Sequence, residues 1–286
     1  MRLDGVLAPA KVNLFLHVVG RRPDGYHLLQ SAFALIDWCD ELDFVRREDG
    51  QIHRHDVGAA LPAQDLVWRA AQALQAASAT PWGVDITLRK RIPTQAGLGG
   101  GSSDAASTLL ALNALWELNW PLARLLPLGL ALGADVPFFL HGHNAWVEGI
   151  GEQVTPLALP PARLLVIQPG VGLETARIFR DPGLTRDTKP VTMSVFAAAR
   201  EGLAFGHNDL QAVAQALCPE IGAVLAWLEQ RGLRGRMSGS GTAVFAQVPD
   251  GVAIEPPPSP WTSRLCSIMT EHPWSARSNT GSRSVA

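Results

Sequence analysis

RIPTQAGLGGGSSDAASTLLALNALW, residues 91–116, places four glycines and two serines within the seven residues 97–103 and then turns apolar. Glycine loses more conformational freedom on folding than any other residue, so ordering such a loop is costly unless something offsets the cost. A bound phosphate does so. Helix N-termini expose unpaired backbone N–H groups and the positive end of the macrodipole, and glycines let the chain wrap an anion closely. The stretch therefore predicts a phosphate cradle between a strand and a helix, formed by Pro93, Thr94, Gln95, Ala96, Gly97, Leu98, Gly99, Gly100, Gly101, Ser102, Ser103 and Asp104. Ser102 and Ser103 can cap the helix, bond a phosphate oxygen or approach a metal ion. Asp104 in the first turn is favoured by the dipole and can bond an N–H or stand near Mg²⁺ or a ribose. A turn joining strand to helix with no ligand is the plainer alternative.

Upstream, VDITLRK alternates through Val84, Ile86 and Leu88, a strand that feeds the loop. From Val6 to Val19 the period is again two, with Val12, Leu14, Leu16 and Val18 on one side and Lys11, Asn13, Phe15 and His17 on the other. GRRPDGYH is turn chemistry, residues 40–47 read as a second strand, and residues 64–77 as a helix. Helical spacing follows the loop through Ala106, Leu109, Leu110 and Asn113, and a further helix begins near Leu122 and ends near Gly133, with Pro137 beyond it. Residues 143–157 suggest a hairpin.

A boundary between two lobes is expected near residues 159–161, giving lobes of 1–158 and 159–286. The second holds an apolar strand at 163–169, helices at 194–203 and 221–232, a glycine-rich turn leading into a strand at 243–248, and the linker EPPPSP. The polar tail after Trp274 is expected to be mobile.

Composition is that of a soluble globular protein, 47% hydrophobic and 17% charged. A net charge of −2 gives no basic surface for nucleic acid, and no signal peptide or membrane span is expected. Three scattered cysteines suit a reducing cytoplasm. Of 24 basic residues other than histidine only Lys11, Lys90 and Lys189 are lysines, so a lysine can be kept where a compact ammonium does what a guanidinium cannot. For Lys90 and Lys189 codon bias is the preferred account.

Other nucleotide motifs fail. G-x-x-x-x-G-K-[ST] is absent, the register after Gly97 and Gly99 lands on Ser102 rather than a glycine, and H-R-D and D-F-G are missing. The pair His141 and His143 lacks a third ligand nearby and reads as surface.

PAKVNLFLHVVGRRPDGYH, PTQAGLGGGSSDAAS and MSGSGTAVF occur in that order, and with them the chain resembles the GHMP kinase superfamily from about Leu7 to Val248. The resemblance implies an α+β, two-lobed fold, with an N-terminal lobe like domain 2 of ribosomal protein S5 and a ferredoxin-like C-terminal lobe. ATP and substrate meet between them. It implies transfer of the ATP γ-phosphoryl group, with Mg²⁺, to the 2-hydroxyl of a cytidine diphosphate-linked methylerythritol in non-mevalonate isoprenoid synthesis.

Asp135, in G-A-D-V-P, is the implied base, and Lys11, in P-A-K-V-N, holds it ionised and orients the hydroxyl. Residues of the glycine loop, with Asp65 and Leu66, are implied on the ATP side. The cytosine is implied between Tyr26 and Phe179, with His27 reading its polar edge, and Asn13, Thr175, Gly239, Ser240 and Gly241 complete the substrate side. Asn208 and Asp209 match the family with a structural role. A monomer or homodimer in the cytoplasm is expected, with no dedicated metal ligands. The alternatives are a GHMP kinase for another small molecule, for which Tyr26 and His27 have no purpose, and a silent ligand sensor, for which Lys11 and Asp135 have none.

Overall fold

The structure, a computed structural model, describes residues 1–58, 60–199 and 205–274. The end of the helix expected at 194–203 and the tail after Trp274 lie outside these residues.

Two long antiparallel strands, β1 (Arg2–Arg21) and β2 (His27–Arg47), organise the first half of the chain. β2 pairs with β1 along its length. Its other edge is divided, residues 41–47 pairing with β4 (Gly83–Arg89) and residues 29–33 with β5 (Ala145–Gly149). β3 (Ile52–Val57) lies parallel to β4, and β6 (Gln153–Pro156) closes the six-stranded sheet. β2 starts well before the strand expected at residue 40. Residues 30–36 are buried on both faces, so they carry no alternation for a period-two reading to find.

β1 also departs from strict alternation. Asn13 pairs with Phe33 but Phe15 pairs with Ala32, leaving Leu14 as an extra residue. Such a bulge changes the parity of the strand. Phe15 accordingly joins the core that holds Val12 and Leu14, instead of facing away from them.

Helices α1 (Leu66–Ser78), α2 (Gly100–Leu115), α3 (Leu122–Leu132) and α4 (Val136–His141) cover one face of this sheet. α2 is enclosed on nearly all sides, with Leu109, Leu112 and Leu115 at 0% exposure. Burying each contributes about 1.5–3 kcal/mol. α3 ends at Leu132 with Gly133 as its cap, and α4 restarts with Pro137 in its first turn, where a missing N–H is harmless.

The second sheet has the order β10-β7-β9-β8, antiparallel throughout, built from β7 (Arg163–Gln168), β8 (Gly235–Met237), β9 (Val244–Val248) and β10 (Thr262–Ser267). With α5 (Thr175–Arg180), α6 (Met193–Ala198), α7 (Gln211–Leu217) and α8 (Pro219–Glu229) it forms the split β-α-β arrangement of a ferredoxin-like lobe. The helix such a lobe carries before its last strand is replaced here. Residues 249–261 hold five prolines and no helix. Ala10, Val12 and Leu14 of β1 share one core with Leu164, Val166 and Phe245 of the second sheet. β1 is therefore the strand on which both sheets pack.

Candidate active site

The glycine loop is held by backbone on two sides. Lys11 N donates to Leu98 O (2.9 Å) and Ala243 N to Ala96 O (3.0 Å), while Ser238 Oγ donates to Gly97 O (2.9 Å). Close approach requires glycine at two of these positions. Gly97 has φ +73°, and a Cβ there would stand 2.1 Å from Ser238 O; Gly99 has φ +70°, and its Cβ would stand 2.9 Å from the Phe139 ring and 3.1 Å from Lys11 Cγ. Gly99 in the left-handed region is the N-cap of α2, and no side chain bonds the first-turn amides. The serines expected as caps therefore sit inside the helix. Glycine takes the cap because its conformation turns the chain tightly into α2. The outcome is a ring of N–H groups at the positive end of a helix with no internal acceptor, the arrangement that binds anions.

Lys11 and Asn13 do face the same way on β1. Lys11 Nζ donates to Asn13 Oδ1 at 2.6 Å and stands 3.4 Å from Asp135 Oδ2. The lysine is 3% exposed, its ammonium lying 4.6 Å from the centroid of the Phe33 ring. Asn13 is oriented in turn by Ser31 Oγ, which accepts from Asn13 Nδ2 at 3.0 Å, and by Ser238 Oγ, which accepts from the Asn13 amide at 3.2 Å. Asp135 occupies the N-cap position of α4 but makes no capping bond; its carboxylate goes to Lys11 instead. Its half-buried carboxylate can accept a proton from a neighbouring hydroxyl, with a fixed cation beside it to orient it.

Loop, lysine and carboxylate border one cavity of about 810 Å³. Every residue from Pro93 to Ser102 lines it, as do Asp104, Lys11, Asn13, Asp135, Asp65 and Leu66. From the second sheet's side come Thr175, Phe179, Gly239, Ser240 and Gly241, with Thr175 and Ser240 joined hydroxyl to hydroxyl at 2.7 Å. Asn208 Nδ2 donates to Met237 O and Gly239 O, both at 2.8 Å, and so supports that turn. Asp65 spends its carboxylate on capping Trp68 N (3.0 Å) and on Arg54.

Three expected residues stand off the cavity wall. Ser103 is buried without a hydrogen-bond partner for its hydroxyl. Tyr26 is 60% exposed, and it is His27, not Tyr26, that meets Phe179, at 4.9 Å between ring centroids. Successive residues entering a strand point opposite ways, so a His27 turned towards Phe179 sends Tyr26 outward.

Lys90 is a second lysine of the site, half-buried, and codon bias does not account for its ion pairs. It bonds Asp40 and, at 2.7 Å, Asp104, while Asp40 also receives the amides of Arg91 and Ile92 that lead into the loop. Burial pushes the Asp104 carboxyl up, against the pull of Lys90. Burial opposes the charge on Lys90, but Asp104 and Asp40 together raise its pKa above the ordinary value. The scarcity of lysine that singles out Lys11 applies equally to Lys90, and that signal was legible. Asp40, fifty residues from its partner, carried none.

Comparison with known proteins shows the family. Residues 65–143 match the family of GHMP kinases N terminal domain, and residues 194–255 match GHMP kinases C terminal. The chain is similar to the 4-diphosphocytidyl-2-C-methyl-D-erythritol kinase of Albidiferax ferrireducens, with 60% identity over 95% of this chain and 94% of that one. The protein of the same name from Polaromonas naphthalenivorans is 59% identical over 95% and 94%. Among solved structures, a 4-(cytidine 5'-diphospho)-2C-methyl-D-erythritol kinase superposes with TM-score 0.72 at 40% identity, covering 87% of this chain and 90% of that one. A homoserine kinase from Cytophaga hutchinsonii, TM-score 0.68 and 18% identical over 94% and 95%, shares the fold.

Proposed function

The chain belongs to the GHMP kinases, among the 4-diphosphocytidyl-2-C-methyl-D-erythritol kinases, and on that premise we propose how its residues divide the work. The reaction moves the γ-phosphoryl group of ATP onto the 2-hydroxyl of 4-diphosphocytidyl-2-C-methyl-D-erythritol, giving the 2-phosphate and ADP, a step of isoprenoid precursor synthesis. Phosphoryl transfer asks a protein mainly for positioning and for stabilising charge on the group in flight. The glycine loop holds the triphosphate on the amides at the start of α2. Asp135 takes the hydroxyl proton, and Lys11 holds the carboxylate in place while aligning the hydroxyl. The observation that carries this is the Lys11–Asp135 contact of 3.4 Å on the wall of the loop's own cavity.

Mg²⁺ enters with ATP on this reading. Among the described residues no cluster of three His, Cys, Asp or Glu could cage a metal. That suits an ion that keeps its waters and takes few protein oxygens beside phosphate. The Ser102 hydroxyl, on the cavity wall at the start of α2, is an oxygen that would fit it beside phosphate. When bound, the ion neutralises charge on the triphosphate.

Asp65 and Leu66 lie on the nucleotide side. Asn13, Thr175 and the 239–241 turn lie on the alcohol side, and Phe179 and His27 serve the base. The lobes are residues 1–158 and 159–286. No single described helix is long and apolar enough to cross a membrane. A cytoplasmic monomer or homodimer is the state this reading takes. The test is a coupled ADP-release assay with the diphosphocytidyl alcohol beside mevalonate, homoserine and galactose. Turnover confined to the diphosphocytidyl alcohol is expected, and turnover confined to one of the other three would overturn the assignment.

A further inference from the structure

Arg186, which no sequence motif singled out, ties His27 to Phe179, an aromatic residue of the cavity wall. Its guanidinium donates to Phe179 O (3.1 Å), Asp181 O (2.7 Å) and Leu184 O (2.9 Å), fastening the segment after α5. Its Nε donates to His27 Nε2 at 3.1 Å, and the His27 ring lies against Phe179. Arginine has five donors and no acceptor and stays charged. The nitrogen facing it must therefore offer a lone pair. In a neutral imidazole the proton then sits on Nδ1, and the ring's remaining polar atom is a donor.

We propose that Arg186 is a positioning residue that locks His27 in the Nδ1–H tautomer and thereby sets the preference for cytosine over uracil at the base subsite. The inference rests on the reading above that His27 faces the base's polar edge. Cytosine offers acceptors at N3 and O2, whereas uracil carries a proton on N3. A fixed donor at Nδ1 is satisfied by cytosine N3 and left facing N–H by uracil, and an unmatched buried polar pair costs affinity. Burial, followed by the guanidinium of Arg186 and then that of Arg21, also holds the His27 pKa below its ordinary value. These two arginines are the charged groups facing the ring, and both oppose a second ring proton.

The test uses the full chain, labelled with ¹⁵N, and two probes that need no turnover, cytidine diphosphate and uridine diphosphate. Nitrogen shifts of His27 are expected to show Nδ1–H in the wild type and a change towards Nε2–H in Arg186→Met. Calorimetry is expected to show cytidine diphosphate preferred by about tenfold or more in the wild type, with most of that preference lost in Arg186→Met. Acidification should restore cytidine diphosphate affinity in Arg186→Met, because protonated His27 regains a donor at Nδ1. A merely structural role does not give that pH response. Arg186→Lys, which keeps one donor, should retain the wild-type tautomer. An Nε2–H tautomer in the wild type, or an unchanged base preference in a folded Arg186→Met, would overturn the proposal. The wild-type tautomer decides it even where Arg186→Met does not fold. Failure of the ADP-release assay, by contrast, bears on the reaction and not on the tautomer.

Discussion

Lys11 comes from the strand against which the second sheet packs and Asp135 from the break between two helices, and they meet at 3.4 Å. The meeting explains why Asp135 leaves the amides of α4 uncapped. A carboxylate that would otherwise have stabilised a helix end by about 1 kcal/mol is committed to a buried ammonium.

Asp135→Asn keeps the shape and removes the base. The expected result is a kcat lower by about 10²–10⁴, the usual contribution of a positioned base, with the dissociation constant for ATP nearly unchanged. Single-turnover kinetics and nucleotide titration check the two halves separately. A fully active variant would place the base elsewhere.

Gly97→Ala adds a methyl 2.1 Å from a backbone oxygen, at a φ that L-residues avoid. Strain and overlap together should lower stability by at least ~3 kcal/mol. Gly101→Ala is the control, since its methyl would meet only the Leu66 side chain, at 3.4 Å. Chemical denaturation of both variants distinguishes a tightly fitted loop from a loose one, which would tolerate either change.

Lys90→Met leaves Asp40 and Asp104 buried without their cation and should cost about 3–5 kcal/mol. Asp104→Asn should be milder, because burial already pushes the Asp104 carboxyl up to about 8. A raised folded-state pKa means the native protein holds the proton longer than the unfolded chain does. That stabilisation is complete at acid pH and is lost as pH rises from the ordinary carboxylate range through about 8. Relative to the wild type, Asp104→Asn should therefore gain stability between pH 5 and 8. Denaturation series at several pH values would show the crossing, and parallel curves would contradict it.

His272 lies fully buried, its Nδ1 accepting from Trp274 N at 3.1 Å and its Nε2 meeting Ser107 Oγ of α2 at 3.2 Å. Burial pushes its pKa from 6.5 down to about 4. The unfolded chain thus takes up this proton first, and stability is lost as pH falls from 6.5 through about 4, by about 3 kcal/mol. His272→Asn should flatten that acid limb in pH-dependent melts. An equally steep limb in the variant would assign the loss to another group.

The parts of this site that local pattern could reveal were those in which one short stretch held all the chemistry. The 97–103 loop and the Lys11–Asn13 alternation are of that kind. The Leu14 bulge was hidden because it depends on pairing with β2, and the early start of β2 was hidden by burial on both faces. Asp40 and Arg186 act on partners 50 and 159 residues away, so no window of sequence contains both ends of either contact. Tyr26 shows the converse: a residue type suited to stacking, but carried outward by the alternation of the strand it precedes.

The most direct measurement is a crystal structure with a non-hydrolysable ATP analogue and the diphosphocytidyl alcohol. The account predicts the triphosphate on the amides of residues 97–102 and the 2-hydroxyl within hydrogen-bond reach of Asp135. A triphosphate seated away from that loop, or a hydroxyl nearer some other carboxylate, would contradict it.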